Sequence, residues 1–563
     1  MQFVSTARLL SLILAVATFS FVGCASLWRA DSDQEKDEER LRDLMTVPTP
    51  PDLIREAAAP RGMRSIRVDG VGVVNSLPGT GGAADPSAMR DQLLEEMKRN
   101  DVTDANQFLE LKDTAMVRIK AVIPPGAKRG DPIDLLVTVP PRSNAKDLHG
   151  GWLLDTRMRH QQVLQSTVRK SDVMAMGTGA VLTRAATEPG SDESLKQEAR
   201  ILAGGRVQST RKLGLVLRPG YEHVKMSSDL AEAINRRFFF FDGSTRRGIA
   251  KAVEDDYIEI EVHPRYERNV DRMMFVILAM GAKGRTMDSQ ERLANLAKRL
   301  QEPVTAADAA LQLEAIGENA VPTLLEGIKS SNPELRFYAA EALAYLDRVE
   351  AIEPLVDSAR SVAAFRHRSL MALQGIPKHL AVEGLRELFN EPSLESRYGA
   401  FVSIRRRDDG RRNLSGERVG GTFRMYQIDS DAPPAIVVSV VEQPEIVLFG
   451  NPVPIQIERF LFGPGGLILK PEPSNPKQIR ISNFKAGEDD RRVVVDNSLP
   501  SLIRGIVAVG GGYGDVIYLL RTAKEKGFLK SQLAIDPLPE TWRLYYREDS
   551  ETKSDDSKSE LGS

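Results

Sequence analysis

The chain has 563 residues, of which 42% are hydrophobic and 27% are charged, as is typical of a globular protein with several domains. The net charge of −2 excludes a general attraction to nucleic acid or anionic lipid, and aromatic residues, at 6%, are too scarce for a base-stacking surface. A single cysteine excludes a disulfide within the chain.

The N-terminus has the pattern of a bacterial lipoprotein signal peptide, predicted at residues 1–23. Arg8 precedes an apolar run at 9–23 that is too short to cross a bilayer comfortably. The run ends in FVGC, which resembles a lipoprotein cleavage site and predicts acylation of Cys24. Ala25 after the cysteine resembles lipoproteins directed to the outer membrane. Plain secretion and an uncleaved anchor helix are the alternatives.

Two segments have the composition of unstructured chain. Residues 24–60 are charged and rich in proline, which predicts a tether. Residues 546–563 are polar and predict a disordered tail.

The next stretch combines short apolar strands with glycine-rich turns. An apolar strand is interrupted by Gly70 and Gly72 and ends in the turn Pro78–Gly82. Glycine at this density indicates backbone that packs closely. Two further strands, Met116–Ile123 and Ile133–Val139, are separated by a Pro-Pro-Gly turn.

Three motifs in this stretch resemble bacterial flagellar P-ring proteins. The first runs from Gly70 to Gly81, the second from Val117 to Val139, and the third from Asn144 to Leu154. The resemblance implies that these positions carry core and inter-subunit contacts. The motif positions are Gly70, Gly72, Gly79, Thr80, Gly81, Pro124, Pro125, Gly130, Asp134, Lys146, Leu148, Gly150 and Gly151. A generic β-rich domain with Gly-Pro turns is the alternative.

Residues up to 284 extend this region. The interval Gln161–Met176 predicts one strand, and Ser227 and Ser228 predict the N-cap of a helix at Asp229–Arg237. An apolar helix at Asn269–Met280 completes a pattern that resembles the second part of the P-ring core.

Residues 285–408 contain a helical repeat. Leu313, Leu343 and Leu373 recur at a period of about thirty residues, with Ile404 in the next position. Each unit has a pair of helices, and the pattern resembles short bacterial HEAT repeats. The repeat is interpreted either as a partner-docking surface or as a spacer that binds nothing.

Residues 409–545 resemble the return of the interrupted core. Strands are predicted at Ala435–Val441, at 445–450 and at 453–458, followed by a helix pair that begins near Ser498 and Gly514. Their order and spacing resemble the P-ring C-terminus.

The sequence shows no catalytic or metal-binding motif. The six histidines form no i, i+4 pair, and the glycine clusters at 79–82 and 510–514 lack the context of a nucleotide-binding loop. No cofactor, metal or enzymatic activity is predicted.

Together these observations predict an α+β multidomain protein, in which a β-rich P-ring-type core is interrupted by an all-α HEAT-like solenoid. The predicted domains are residues 1–23, 24–60, 61–284, 285–408, 409–545 and 546–563. The resemblance implies a structural subunit of a periplasmic P-ring-like assembly that packs into a ring around the flagellar rod. The implied partners are further copies of the chain, flagellar rod and outer-membrane ring proteins, peptidoglycan, and the outer membrane through acylated Cys24. A lipid-anchored envelope scaffold without a flagellar role, which docks a protein partner on its HEAT repeats, is the alternative.

Overall fold

The computed structural model describes residues 46–164, 167–282, 290–411, 414–485 and 489–547. Cys24, the predicted signal peptide and most of the predicted tether and tail lie outside the described residues. The end of the predicted tether at 24–60 is folded instead, because Ile54–Ala57 is a helix and Ala58–Arg61 is a strand, and Ile54 and Ala57 are fully buried. The chain divides into two compact units. The described part of the small unit comprises residues 46–59, 214–260 and 281–282, and the large unit comprises the remainder.

The small unit contains both β-strands and α-helices. Its four-stranded sheet has the order Ala58–Arg61, Leu213–Leu217, Tyr257–Ile260, Ala250–Ala252. The other elements are the helices Ile54–Ala57 and Val224–Arg237 and a hairpin of Phe239–Asp242 with Thr245–Gly248.

The longer helix of the small unit begins earlier than predicted. It starts at Val224, and the side chain of His223 caps it by accepting a hydrogen bond from the Lys225 N–H. The predicted N-cap at Ser227 and Ser228 is wrong, because Ser227 is buried inside the helix and donates to the Val224 carbonyl.

The large unit begins with a closed β-barrel. A seven-stranded sheet contains an extra pairing between its first and sixth strands, so six strands close on themselves. Their order is Pro132–Thr138, Ala115–Ile123, Ile66–Asn75, Trp152–Leu164, Thr167–Ala180 and Glu198–Val207, with Leu182–Thr183 added to the last. The structure forms a hairpin of two long strands, Trp152–Leu164 and Thr167–Ala180, where the sequence predicted only one.

The first barrel strand shows why glycines occur in it. Because alternate residues face opposite sides of a strand, Val71 and Val73 pack against the helix Ala88–Arg99 outside the barrel. Gly70 and Gly72 face the interior, where a Cβ on Gly72 would lie 2.2 Å from the Thr156 hydroxyl oxygen. The glycines therefore allow the neighbouring strand to approach closely.

Short helical elements lie between strands of the barrel sheet or follow them in the chain. They are Ala105–Phe108, Arg184–Thr187, Ser194–Gln197, the 3-10 turn Pro264–Tyr266 and the helix Val270–Leu278.

The solenoid consists of two rows of helices. We call the first the A row: Pro303–Ile316, Pro333–Ala344, Ala363–Gly375 and Leu394–Arg405. The B row comprises Gln290–Leu300, Val321–Gly327, Ile352–Ser361 and His379–Glu387. Short 3-10 turns lie at Glu318–Ala320, Val349–Ala351 and Leu388–Asn390, and a one-turn α-helix lies at Asp408–Arg411. The four predicted repeat positions are fully buried in the A row: Leu313, Leu343, Leu373 and Ile404.

Two sheets and two helices follow the solenoid. The five-stranded sheet has the order Gly416–Val419, Phe423–Ile428, Glu445–Phe449, Ala435–Val438, Gln532–Ile535. The four-stranded sheet consists of Leu461–Phe462, Leu467–Glu472, Asn475–Asn483 and Arg491–Asp496, with the 3-10 turn Pro464–Gly466 between its first two strands. The helices are Leu499–Ala508 and Tyr513–Glu525. The predicted strand at 453–458 is wrong, because that segment is irregular.

The segments before and after the solenoid share one hydrophobic core. Leu182 and Ala186, which follow the barrel hairpin, are buried among residues of the two C-terminal sheets and helices. The Arg521 guanidinium reinforces this contact by donating hydrogen bonds to the carbonyls of Ala185 and Ala186. The β-rich barrel, the helical solenoid and the further β region confirm the predicted α+β multidomain class.

Candidate functional site

The glycine-rich turn at one end of the barrel is held against two other loops. The Gly81 N–H donates to the Lys112 carbonyl, and a Cβ on Gly81 would lie 2.2 Å from the Thr114 carbonyl oxygen. Thr80 Oγ1 donates to the Asp147 carbonyl at 2.6 Å. Because the opposing atoms are backbone, only glycine fits at position 81 without displacing the chain.

The third motif lies beside this turn. Gly79, Lys146 and Gly150 are exposed, and Gly79 and Gly150 have positive φ angles of 77° and 76°. Gly151 is buried, and a Cβ there would lie 2.3 Å from Val74 Cγ1. The structure therefore brings the first and third motifs together, with some members in the core and others on the surface.

His149 connects the third motif to the C-terminal helix pair. Its Nε2 lies 3.0 Å from Oδ1 of Asp515, whose carboxylate also accepts the Gly512 N–H at the start of the helix. Burial by itself lowers the pKa of His149, but the Asp515 carboxylate outweighs it and raises the pKa above its ordinary value. Leu148 beside it is buried in the barrel core.

The second motif lies elsewhere on the barrel, around the Pro-Pro-Gly turn. Pro124 and Pro125 line a cleft, and Gly130 is exposed with a φ of 93°. Gly126, between them, has a φ of 71°, and a Cβ there would lie 2.6 Å from a methyl group of Val262. Glycine is therefore favoured here for two reasons: the positive φ angle, and the lack of space for a side chain beside Val262.

Asp134 joins three distant segments of the chain. Its Oδ1 accepts the Ala203 N–H at 2.7 Å, and its Oδ2 accepts the Glu442 N–H at 2.8 Å. Ala203 and Glu442 both have positive φ, at 48° and 61°, which is uncommon for residues with a side chain. One carboxylate thus stabilises two unusual backbone conformations. One is at Ala203 in a barrel strand, and the other is at Glu442, in the connection between two strands of the five-stranded sheet.

The cleft beside Asp134 has a volume of about 1340 Å³. It is bounded by the Pro-Pro-Gly turn, the helix Val270–Leu278, the A row and the segment 414–443. Six arginines and six carboxylates line it, so the lining has no excess of either charge. The arginines are Arg268, Arg272, Arg368, Arg405, Arg406 and Arg424, and the carboxylates are Asp131, Asp134, Glu267, Asp271, Glu341 and Glu442.

A buried ion network attaches the helix Val270–Leu278 to the first two A-row helices. Arg272 is 7% exposed and pairs with the buried carboxylates of Glu314 and Glu341. The Tyr266 hydroxyl donates to Glu314 at 2.7 Å, and the Arg272 guanidinium lies over the Tyr345 ring, 4.8 Å from its centroid. This geometry fixes the first two A-row helices on the helix Val270–Leu278 that precedes the solenoid in the chain.

Glu341 shows how strongly the charges in this network depend on one another. Burial by itself raises the pKa of the Glu341 carboxyl, but Arg272 and Arg368 hold it below its ordinary value. A buried charge of this kind is stable only while its partners remain in place.

A second network attaches the last A-row helix to the five-stranded sheet that follows the solenoid. Arg405 pairs with Glu442 and also lies 3.2 Å from Glu445, which accepts a hydrogen bond from the Tyr398 hydroxyl. Burial raises the pKa of Glu445 to about 7 in spite of Arg405. The solenoid is therefore held at both of its ends by buried charged side chains.

The two networks join elements of the fold to one another. His367 in the cleft has a lowered pKa because it is buried and lies near Arg406 and Arg368. Within the described ranges, no group of three His, Cys, Asp or Glu side chains is placed to hold a metal ion. None of the helices in those ranges has the length and apolar character needed to span a bilayer.

Sequence reasoning did not identify the two ion networks. The available signal was a charged residue inside an otherwise apolar helix, as with Arg272 in VDRMMFVIL and Glu341 in YAAEALA. Its partner was not apparent, because the paired residues belong to different helices.

The family comparisons give two matches. Residues 53–287 match the family model of the flagellar P-ring protein, and residues 290–374 match the model of HEAT repeats.

Similar proteins include flagellar P-ring proteins from three bacteria. That of Escherichia fergusonii is 27% identical over 233 residues, which is 39% of this chain and 59% of the relative. That of Dechloromonas aromatica is 31% identical over 141 residues, 24% of this chain and 38% of the relative. That of Shewanella amazonensis is 37% identical over 117 residues, 20% of this chain and 31% of the relative. The chain therefore matches less than two thirds of each relative's length.

Proposed function

We propose, on the premise that residues 53–287 belong to the flagellar P-ring protein family and are followed by HEAT repeats, that this chain is a structural subunit of a P-ring-like assembly. In this proposal copies of the chain pack side by side into a closed ring around the flagellar rod in the periplasm. The observation that carries it is the family match across the whole barrel.

The outer surface of the barrel supports a role in subunit packing. Val122 and Leu136, on neighbouring strands, are 50% and 45% exposed, although apolar side chains gain free energy when they are removed from water. The exposed motif residues Gly79, Lys146 and Gly150 are further candidates for contacts between copies. We therefore propose the barrel as the element that carries the ring.

The two β-rich regions act as one core in this proposal. Residues 61–284 and 409–545 form its two parts, and the HEAT-like module at 285–408 is an accessory carried on the ring. The shared packing around Leu182 and Ala186 supports this assignment. The buried ion networks at both ends of the solenoid give the accessory a fixed orientation on that core.

We further propose that the protein is a lipoprotein of the outer membrane. Signal cleavage after residue 23 and acylation of Cys24 would leave the chain between Cys24 and the helix Ile54–Ala57 as a tether. The rod, the outer-membrane ring proteins and peptidoglycan are the proposed partners. A Cys24→Ser variant should lose the lipid and leave the membrane fraction, and membrane association that persists without lipid would contradict the proposal.

Electron microscopy of the native protein extracted in mild detergent tests the proposed function. We expect closed rings that co-purify with rod proteins and sediment as one large species. A Leu136→Asp variant should reduce ring formation, whereas Leu380→Asp, at an exposed position of the solenoid, should not. Monomers without flagellar partners would contradict the proposal and favour the lipid-anchored scaffold, which no observation favours at present.

A further inference from the structure

Residues 539–547, which we call the C-terminal strap, lie along the A row of the solenoid. Arg543 donates two hydrogen bonds to Glu395, at 2.6 and 2.7 Å, and Arg547 donates two to Glu334, at 2.7 and 2.8 Å. Tyr545, midway between the arginines, stacks on Phe365 with 4.7 Å between ring centroids. Three side chains of the strap thus contact three successive A-row helices.

The solenoid residues that receive the strap form a repeating surface. Glu334, Phe365 and Glu395 each lie in the first turn of their A-row helix, and we call the three together the acidic ridge. Neighbouring helices pack about 8–10 Å apart, and two residues of extended chain span about 6.6 Å. The length of the side chains makes up the difference between these two distances. Every second residue of an extended peptide can therefore contact the next helix of the ridge.

The chemistry of the ridge defines the peptide that fits it. Each bidentate arginine–carboxylate pair selects a planar guanidinium group. The pairing with Arg543 is the main reason that the pKa of Glu395 is lowered. Phe365 is itself stacked on Phe337, 4.3 Å between centroids, which gives the aromatic position a rigid platform.

The other face of the strap has no such contacts. Trp542, Leu544 and Tyr546 alternate with the bound residues and are 74%, 71% and 79% exposed. These three residues therefore contribute little hydrophobic burial to the strap. The pair of Arg543 with Glu395 is partly exposed, and in the pair of Arg547 with Glu334 the arginine is 41% exposed although the carboxylate is buried, so solvent weakens both attractions. A segment held in this way is open to competition from another peptide.

We propose that the acidic ridge is a recognition site for an extended peptide with the pattern Arg-x-aromatic-x-Arg, that the strap occupies it in cis, and that a partner protein with this pattern binds by displacing the strap. In this proposal the solenoid binds a partner protein through the ridge, in addition to the proposed role of the chain in ring formation. Access to it depends on release of the chain's own C-terminal segment.

A binding experiment on the full chain tests the proposal. The variant Arg543→Glu with Arg547→Glu repels its own strap from the ridge. A fluorescent peptide of residues 537–549 should bind this variant at least ten-fold more tightly than the wild-type chain. Trp542→Ala, at an outward position of the strap, should behave as wild type. Equal affinity for the double variant and the wild type would overturn the proposal.

A second measurement needs no variant of the chain. Excess wild-type peptide should displace the strap and speed chymotrypsin cleavage after Trp542 and Tyr546 at least ten-fold. The same peptide with both arginines replaced by glutamate should leave the cleavage rate unchanged. If the two peptides have the same effect on the cleavage rate, the arginines are not what the ridge recognises and the proposal is overturned.

Discussion

Several motif residues are explained by the space that a side chain would need. Gly72 faces a neighbouring strand of the barrel, and Gly81 faces backbone carbonyls at 2.2 and 2.8 Å. A side-chain neighbour can move by rotation, but a carbonyl in a hydrogen-bonded turn cannot. Gly81 is therefore the motif glycine at which substitution is least tolerated.

Replacement of Gly81 by alanine should lower the free energy of unfolding by about 1–3 kcal/mol, because the added methyl group displaces the Thr114 carbonyl. Chemical denaturation monitored by far-UV circular dichroism measures this change. Gly514→Ala is the matched control: its nearest neighbour would be 3.4 Å away, and alanine in a helix gains roughly 0.5–1 kcal/mol over glycine. Equal losses at the two sites would contradict the steric explanation.

The His149–Asp515 pair predicts a dependence of stability on pH. The folded state raises the pKa of His149, so its stabilising contribution is full below the unfolded pKa of 6.5 and is lost as the pH rises through the folded value. The melting temperature of the wild type should therefore fall relative to His149→Gln between pH 6 and pH 9. A constant difference across that range would show that the pair does not titrate as proposed.

At the scale of elements, the attachment of the solenoid depends on charges that are buried together. Arg272, Glu314 and Glu341 come from three helices, and each carboxylate would be costly to bury without the guanidinium. Such a network contributes less to stability than to a unique geometry, because desolvation offsets much of the attraction.

Arg272→Met keeps much of the side-chain volume and removes the charge. It should destabilise the large unit by about 3–5 kcal/mol, because Glu314 and Glu341 lose a buried partner. Thermal unfolding measures the loss. Lys329→Met, which removes an exposed pair with Glu326, should cost at most ~1 kcal/mol. Similar losses in the two variants would argue against a special role for the buried network.

Leu343→Ala tests the repeat register. The side chain is fully buried, and its truncation should cost about 2–5 kcal/mol through the cavity that it leaves. The same change at Leu380, which is 53% exposed, should have a much smaller effect on the melting profile. An unchanged melting profile for Leu343→Ala would show that the register is wrong.

The sequence predicted the solenoid well because its signal is local and repeated. The repeat period of about thirty residues and the size of the leucine side chain predicted that Leu313, Leu343 and Leu373 are in the core. All three are fully buried in the structure. The sheet at 461–496 was not predicted, although Ile479 and Ile481 alternate with polar residues in its longest strand, Asn475–Asn483. Its other strands have two to six residues, too few for a clear alternation. Asp134 was recognised as a motif residue, but its partners lie 69 and 308 residues away. Such long-range contacts leave no pattern in a single sequence.

At the scale of the whole molecule, Asp134 connects the barrel to the C-terminal sheet across the inserted solenoid. Loss of its carboxylate leaves two amide groups, at Ala203 and Glu442, without an acceptor. A fully buried donor without an acceptor costs about 1–3 kcal/mol, which is a substantial fraction of typical protein stability, and these two amides are partly buried.

Asp134→Ala should therefore accelerate hydrogen exchange at the amides of Ala203 and Glu442 and lower the free energy of unfolding by about 1–3 kcal/mol in total, because both hydrogen bonds are only partly buried. Hydrogen exchange followed by mass spectrometry measures the local effect. Asp131→Ala, which removes an acceptor within the exposed turn only, is the control. Unchanged exchange at Glu442 would show that the carboxylate does not couple the two regions.

The insertion of the solenoid between two packed segments affects the order in which the chain can fold. The barrel strands end at Val207, yet the core that they share with the last helices needs residues as late as Leu529. Solenoid helices gain their contacts from near neighbours and form quickly, whereas closure of a long loop is slow. We expect the repeats to become structured first and to bring the two halves of the core together. In that sequence of events the inserted helices act as a folding scaffold for the β-rich regions that flank them.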